Sequence, residues 1–169
     1  NSTLISKTSR MILEEGGDRS FWLIVPGFAV VFLASPLEYI YLGGTERAER
    51  FLQTTGLALV MLGLAVRAWA RQILKGQYSG HIQTEPNQQM QTGGPYRFVR
   101  HPGYTGYFLM CLGLATGFGS ILGTAALFFI LLPGLYYRMN VEEKILFQDF
   151  GNAYRDYAAR TKRIFPGLW

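Results

Sequence analysis

Residues 104–137 contain no Asp, Glu, Lys or Arg, 34 consecutive positions without a charge. A single membrane crossing needs about 20 apolar residues. The run is longer than that, and Gly117-Phe118-Gly119 interrupts it. It therefore reads as two apolar helices, 104–117 and 120–137, folded into a hairpin, with Pro133-Gly134 predicted to kink the second arm. Two more apolar runs precede it. Residues 21–41 carry one charge, Glu38, and two prolines, Pro26 and Pro36, which predict a bend. Residues 51–73 have a charge-free middle, 56–66, and then Arg67 and Arg71, expected to snorkel with Lys75 to one interface. The fold expected is all-α: a polytopic integral membrane helical protein with a C-terminal helical hairpin.

Composition agrees. Only 16% of the 169 residues are charged, against roughly a quarter in soluble domains. The net charge of +5 lies beside the apolar runs and not along a polar stripe, which argues for membrane lipids as partners and against nucleic acid. Cys111, the only cysteine, lies inside an apolar run and is expected to be a packing residue. With only His81 and His101 for company, no metal site is expected. Residues 1–20 do not form a signal peptide. Because the chain begins with Asn1 and not Met, it is expected to be a piece of a longer sequence. If residues 1–20 face the cytoplasm, 14 of the 16 Lys and Arg fall on that side, as the positive-inside rule requires.

The chemistry-bearing stretch is the polar knot Gly94-Pro95-Tyr96-Arg97-Phe98-Val99-Arg100-His101-Pro102-Gly103-Tyr104, at the mouth of the hairpin. A neutral polar loop, residues 76–94, runs into it. The sequence divides into an N-terminal segment, 1–75, with two transmembrane helices, and a catalytic region, 76–169. His101 can serve as a base, a ligand or a turn residue. Tyr96 and Tyr104 can be interfacial anchors or binding walls. Arg138 and Glu142 are four apart and share a helix face. As a solvated pair they contribute roughly 0.2–0.5 kcal/mol. An arginine at a membrane boundary is costly unless paired, and tends to be functional. Residues 138–169 read as a polar amphipathic tail, punctuated by Gly151.

The ordered series Gly94-Pro95-Tyr96, Arg100-His101-Pro102-Gly103-Tyr104, a hairpin, Glu142-Glu143, Phe150-Gly151-Asn152-Ala153-Tyr154-Arg155-Asp156-Tyr157 and Arg163-Ile164-Phe165-Pro166 resembles the isoprenylcysteine carboxyl methyltransferase family. The resemblance covers about residues 76–166. It implies transfer of a methyl group from S-adenosylmethionine to the carboxylate of a prenylated cysteine or similar lipidic acid, leaving S-adenosylhomocysteine. It also implies a catalytic cap facing the cytoplasm. Residue by residue, it implies cofactor contacts at His81, Gln88, Gln89, Met90, Gln91, Tyr96, His101, Pro102, Gly103, Tyr104 and Glu142. It implies substrate contact at Arg138, and makes Arg138 and Glu142 the catalytic pair. A carboxylate is already a nucleophile, so no general base is needed; the site must dehydrate it and hold it in line. Two rivals share parts of the pattern: phospholipid N-methyltransferases, and NADPH-dependent membrane sterol or steroid reductases. A 2′-phosphate would call for basic residues in the loop 77–94, which has none.

Overall fold

The computed structural model describes residues 22, 24–41, 46–74 and 90–166. Described residues are almost entirely helical: α1 (Ile24–Tyr41), α2 (Glu46–Leu74), a 3-10 turn (Gly94–Arg97), α3 (Pro102–Gly117), α4 (Ile121–Ala126), a π-helical segment (Leu127–Leu131), α5 (Leu132–Phe150) and α6 (Asn152–Arg160). The one extended pairing among them is a parallel bridge between Val99 and Lys162. Three stretches are long and apolar enough to cross a membrane: Ile24–Tyr41, Arg50–Leu74 and Ile121–Phe150. Large apolar side chains such as Phe129, 82% exposed, face outward along them, as lipid-facing residues do. The all-α polytopic membrane fold expected from the sequence is the fold found.

α2 starts earlier than its apolar run, at Glu46. Its main neighbour is α3. The two backbones touch because glycines oppose one another at seven-residue intervals. A Cβ on Gly63 would stand 2.6 Å from the Gly106 carbonyl oxygen, and one on Gly113 would stand 2.6 Å from that of Gly56. Lipid supplies no hydrophobic drive between helices, so this close approach substitutes van der Waals contact for it.

α1 reaches the hairpin at its corner. Gly119 takes φ 60° to make the bend, and Ser120 caps α4 by accepting the Gly123 N–H at 2.8 Å. The Glu38 carboxylate then accepts from Ser120 Oγ at 2.6 Å, Ile121 N–H at 3.1 Å and Leu122 N–H at 3.0 Å. These are the orphan donors of a helix N-terminus, satisfied by a side chain more than eighty residues away. Glu38 is thus a helix cap and not merely an interfacial charge.

The second arm differs from its predicted form. It does not end near Tyr137; α4, the π segment and α5 run on together as 30 residues from Ile121 to Phe150. At about 1.5 Å per residue the helix is some 45 Å long, beyond the roughly 30 Å hydrocarbon core. The polar stretch read as a separate tail begins as the continuation of this helix. Pro133, which offers no N–H to the carbonyl of residue 129, follows a widened turn in which the Leu132 N–H bonds Leu127 O, five back. Gly151, at φ 55°, stops α5 as expected. The core joins both arms and the returning tail: Phe108, Cys111, Leu127, Leu131, Leu135, Met139 and Ile164. Cys111 is fully buried and packs as predicted.

Replacing Gly63 with Val should force the α2–α3 backbones apart and cost about 1–3 kcal/mol. Glu38→Ala should cost about 1 kcal/mol through the lost cap. Both are read as a lowered thermal midpoint in detergent, against Leu57→Ala on the exposed face of α2 as a near-neutral control.

Candidate active site

The polar knot becomes a turn seated on the end of α2. Gly94 has φ 58°, and a Cβ there would meet Ile73 Cγ1 at 2.8 Å. Pro95 is the second residue of the 3-10 turn, and Pro102 opens α3 with a ring that needs no N–H partner there. The tail after α6 comes back to this turn. Arg100 N–H donates to Lys162 O at 2.7 Å, and His101 N–H donates to Arg163 O at 3.0 Å. Thr105 Oγ1 donates to Ile164 O at 2.9 Å. Arg100 also donates from Nη1 to the carbonyls of Ala158 and Thr161, at 2.7 and 2.6 Å.

This docking brings four of the predicted residues together. His101 is buried and stacks on Tyr104, ring centroids 5.6 Å apart. Tyr104 Oη accepts from Arg138 Nε at 2.8 Å. His101 Nδ1 lies 3.4 Å from Glu142 Oε2, and Nε2 lies 3.2 Å from Glu143 Oε1. Glu142 Oε2 is buried and has ion-pair proximity to the ring but no hydrogen-bond partner among the described residues. A side chain on Gly103, in the first turn of α3, would meet nothing within 4 Å there. Met90 and Gln91 are half-buried on the approach to the turn. Tyr96 joins through its carbonyl, which accepts from Tyr157 Oη at 2.7 Å. His81, Gln88 and Gln89 lie outside the described residues.

Two features were not foreseen. Glu143 gathers Arg100 Nε at 3.0 Å and Arg163 Nη2 at 2.7 Å besides His101. The adjacent pair Glu142-Glu143 was visible in the sequence. Consecutive helical residues point about 100° apart, so which partner each would find depended on where the tail docks. Arg67 does not snorkel to the interface. Its guanidinium lies 3.5 Å over the Tyr107 ring, and its Nη1 is buried without a hydrogen-bond partner among the described residues. The open backbone at Gly106 gives it room to turn onto α3.

Burial pulls the His101 pKa down, but the facing carboxylates of Glu142 and Glu143 more than offset this, and the net shift is upward from 6.5. The ring therefore favours the imidazolium. A raised folded-state pKa contributes stability that is fully present below about pH 6.5 and is lost as pH rises through the folded value. The thermal midpoint in detergent should accordingly fall between pH 6 and the raised value, and His101→Asn should flatten that slope.

The model of the isoprenylcysteine carboxyl methyltransferase family matches residues 56–148, more than half of the chain. A probable protein-S-isoprenylcysteine O-methyltransferase of Oryza sativa subsp. indica is 31% identical over 119 residues, covering 69% of this chain and 62% of the relative. A protein-S-isoprenylcysteine O-methyltransferase of Schizosaccharomyces pombe is 30% identical over 117 residues, covering 68% and 49%. The fold is similar to a solved structure of the eukaryotic intramembrane Ras methyltransferase ICMT, with a TM-score of 0.64 at 21% identity over 89% of this chain and 53% of that one. The chain thus spans about half to three fifths of the length of these proteins. With the match running from the glycine seam of α2 through Arg138, Glu142 and Glu143, the chain belongs to the isoprenylcysteine carboxyl methyltransferase family.

Proposed function

We propose that this protein is a membrane methyltransferase that uses S-adenosylmethionine to esterify the carboxylate of an isoprenylcysteine or a similar lipidic acid. The observation that carries the reading is the convergence of Arg138, Tyr104, His101 and Glu142 at the polar end of one hairpin. The relatives' names supply the reaction class.

The residues present fit the methyl donor. Glu142 Oε2 is buried and faces His101 Nδ1 at 3.4 Å without a short hydrogen bond, an acceptor that suits an ammonium or ribose hydroxyl. The space in front of Gly103 lets a ligand approach the α3 backbone closely. His101, Pro102 and Tyr104 floor that space; Met90, Gln91 and Tyr96 stand on its approach, and His81, Gln88 and Gln89 belong to the loop before it. When bound, the donor supplies a methyl group already activated on a sulfonium.

Arg138 takes the acceptor. Its guanidinium offers a planar fork that matches a carboxylate, and its Nε donates to Tyr104 Oη at 2.8 Å, which fixes the plane of that fork. A carboxylate held there would take the methyl group that the donor supplies, with the electron pair left on the donor's sulfur. No proton moves, so the side chains need only orient, desolvate and exclude water. The lipid tail of the substrate lies among the apolar faces of the helices. The catalytic unit is 76–169, braced on α2, and it faces the cytoplasm, the side on which 14 of the 16 Lys and Arg then fall.

Arg138→Ala should reduce methyl transfer at least about a hundredfold, the loss expected when a reacting group is misplaced. Binding of S-adenosylhomocysteine should stay close to wild type; loss of binding instead would overturn the role given to Arg138. A thermal-shift comparison should show stabilisation by S-adenosylhomocysteine and none by a reduced nicotinamide dinucleotide. Methyl transfer to prenylcysteine acids but not to phospholipids identifies the acceptor class.

A further inference from the structure

Glu143 has no part in the reaction described above, yet three side chains from two separate stretches, the turn and the tail, meet its two oxygens. Arg100 comes from the turn, at 3.0 Å, and Arg163 from the tail, at 2.7 Å. His101 completes the set with Nε2 at 3.2 Å. The other ring nitrogen, Nδ1, looks at Glu142 from 3.4 Å. A neutral imidazole has one N–H and one lone pair, so it can satisfy only one of two carboxylates; the imidazolium can face both. The ring cannot swing away, because it is 7% exposed and stacked on Tyr104.

We propose that Glu143 is a positioning residue for the methyl-donor site: it acts through His101, holding the ring charged and turned so that Nδ1 braces Glu142, without touching the donor itself. This rests on the reading that Glu142 and the turn hold the donor. The charged and titratable groups around the ring are Glu142, Glu143 and Arg138 from α5, Tyr104 from α3, Arg100 from the turn and Arg163 from the tail. From α6, Tyr154 lies close enough to Glu143 to feel its charge. Of these only Glu142 and Glu143 come within 3.5 Å of the ring nitrogens. Donor affinity therefore has an alkaline limit, where the ring loses its second proton. Removing the charge of Glu143 moves that limit toward acid.

The test is calorimetric binding of S-adenosylhomocysteine to the full chain in detergent from about pH 5.5 to 9, with a thermal midpoint for every variant. The wild type should bind, weakening at the alkaline end. Glu143→Gln should weaken about one pH unit earlier, leaving affinity roughly tenfold lower at pH 8. Glu143→Asp should recover part of the shift. Arg163→Gln, which loosens the tail but leaves the carboxylate beside the ring, should lower the thermal midpoint and keep the wild-type limit. If Glu143→Gln lowers the midpoint while its alkaline limit coincides with wild type, Glu143 is a structural brace only and the proposal is wrong. Should that variant not fold, Glu143→Asp decides: a limit displaced toward acid supports the proposal, and an unmoved limit overturns it. No binding by the wild type overturns the donor-site reading and the proposal with it, an outcome distinct from an unshifted limit.

Discussion

The carboxylate of Glu143 receives Arg100 and Arg163 while facing His101. The turn, the long helix of the hairpin and the returning tail therefore share one ionic contact. An arginine from the turn and one from the tail would repel each other at this range if the carboxylate were absent. The backbone bonds from Arg100 and His101 to Lys162 and Arg163 depend on the same approach. Placing the charge cluster where the hairpin leaves the bilayer keeps its desolvation cost lower than it would be in the hydrocarbon. It also sets Glu142 beside the ring of His101, one helical turn from Arg138.

Beneath this polar end, the membrane part is held by contacts of a different kind. α2 and α3 approach until glycine meets glycine, so neither can slide without a clash. That fixes α3, and with it the His101–Tyr104 stack at its start. The hairpin corner is secured by Glu38, whose two oxygens close the orphan donors of α4. The π-helical turn before Pro133 lets the second arm remain one continuous helix, so that a residue at its polar end is positioned by packing far inside the apolar part. A proline kink that broke this arm would have freed Arg138 and Glu142 from the hairpin's geometry.

The Arg-His-Pro turn, the hairpin with its glycine corner and the Arg138–Glu142 spacing were legible because each rests on local rules: hydropathy, turn chemistry and helical period. Arg67 was not, since a cation on an apolar helix looks like a snorkelling one until a neighbouring glycine and Tyr107 give it somewhere else to go. Glu38 was legible as the single charge of the first apolar run but not as a cap, because its partners are remote in sequence. The continuity of α5 was missed for a related reason. Sequence marks a proline as a break, and only packing on both sides shows that a widened turn suffices.

By itself, then, the sequence determined an all-helical membrane chain, the ends of its apolar runs and the residue types gathered at one polar end, because burial in lipid forces every backbone group to be satisfied within a helix. The tertiary structure alone decided which carboxylate faces which cation. Glu142 and Glu143 are neighbours with the same chemistry, and nothing in their order assigns one to the open side of His101 and the other to the arginines. That choice comes from the direction in which the tail crosses the turn, a contact between residues about sixty positions apart, which no local pattern encodes.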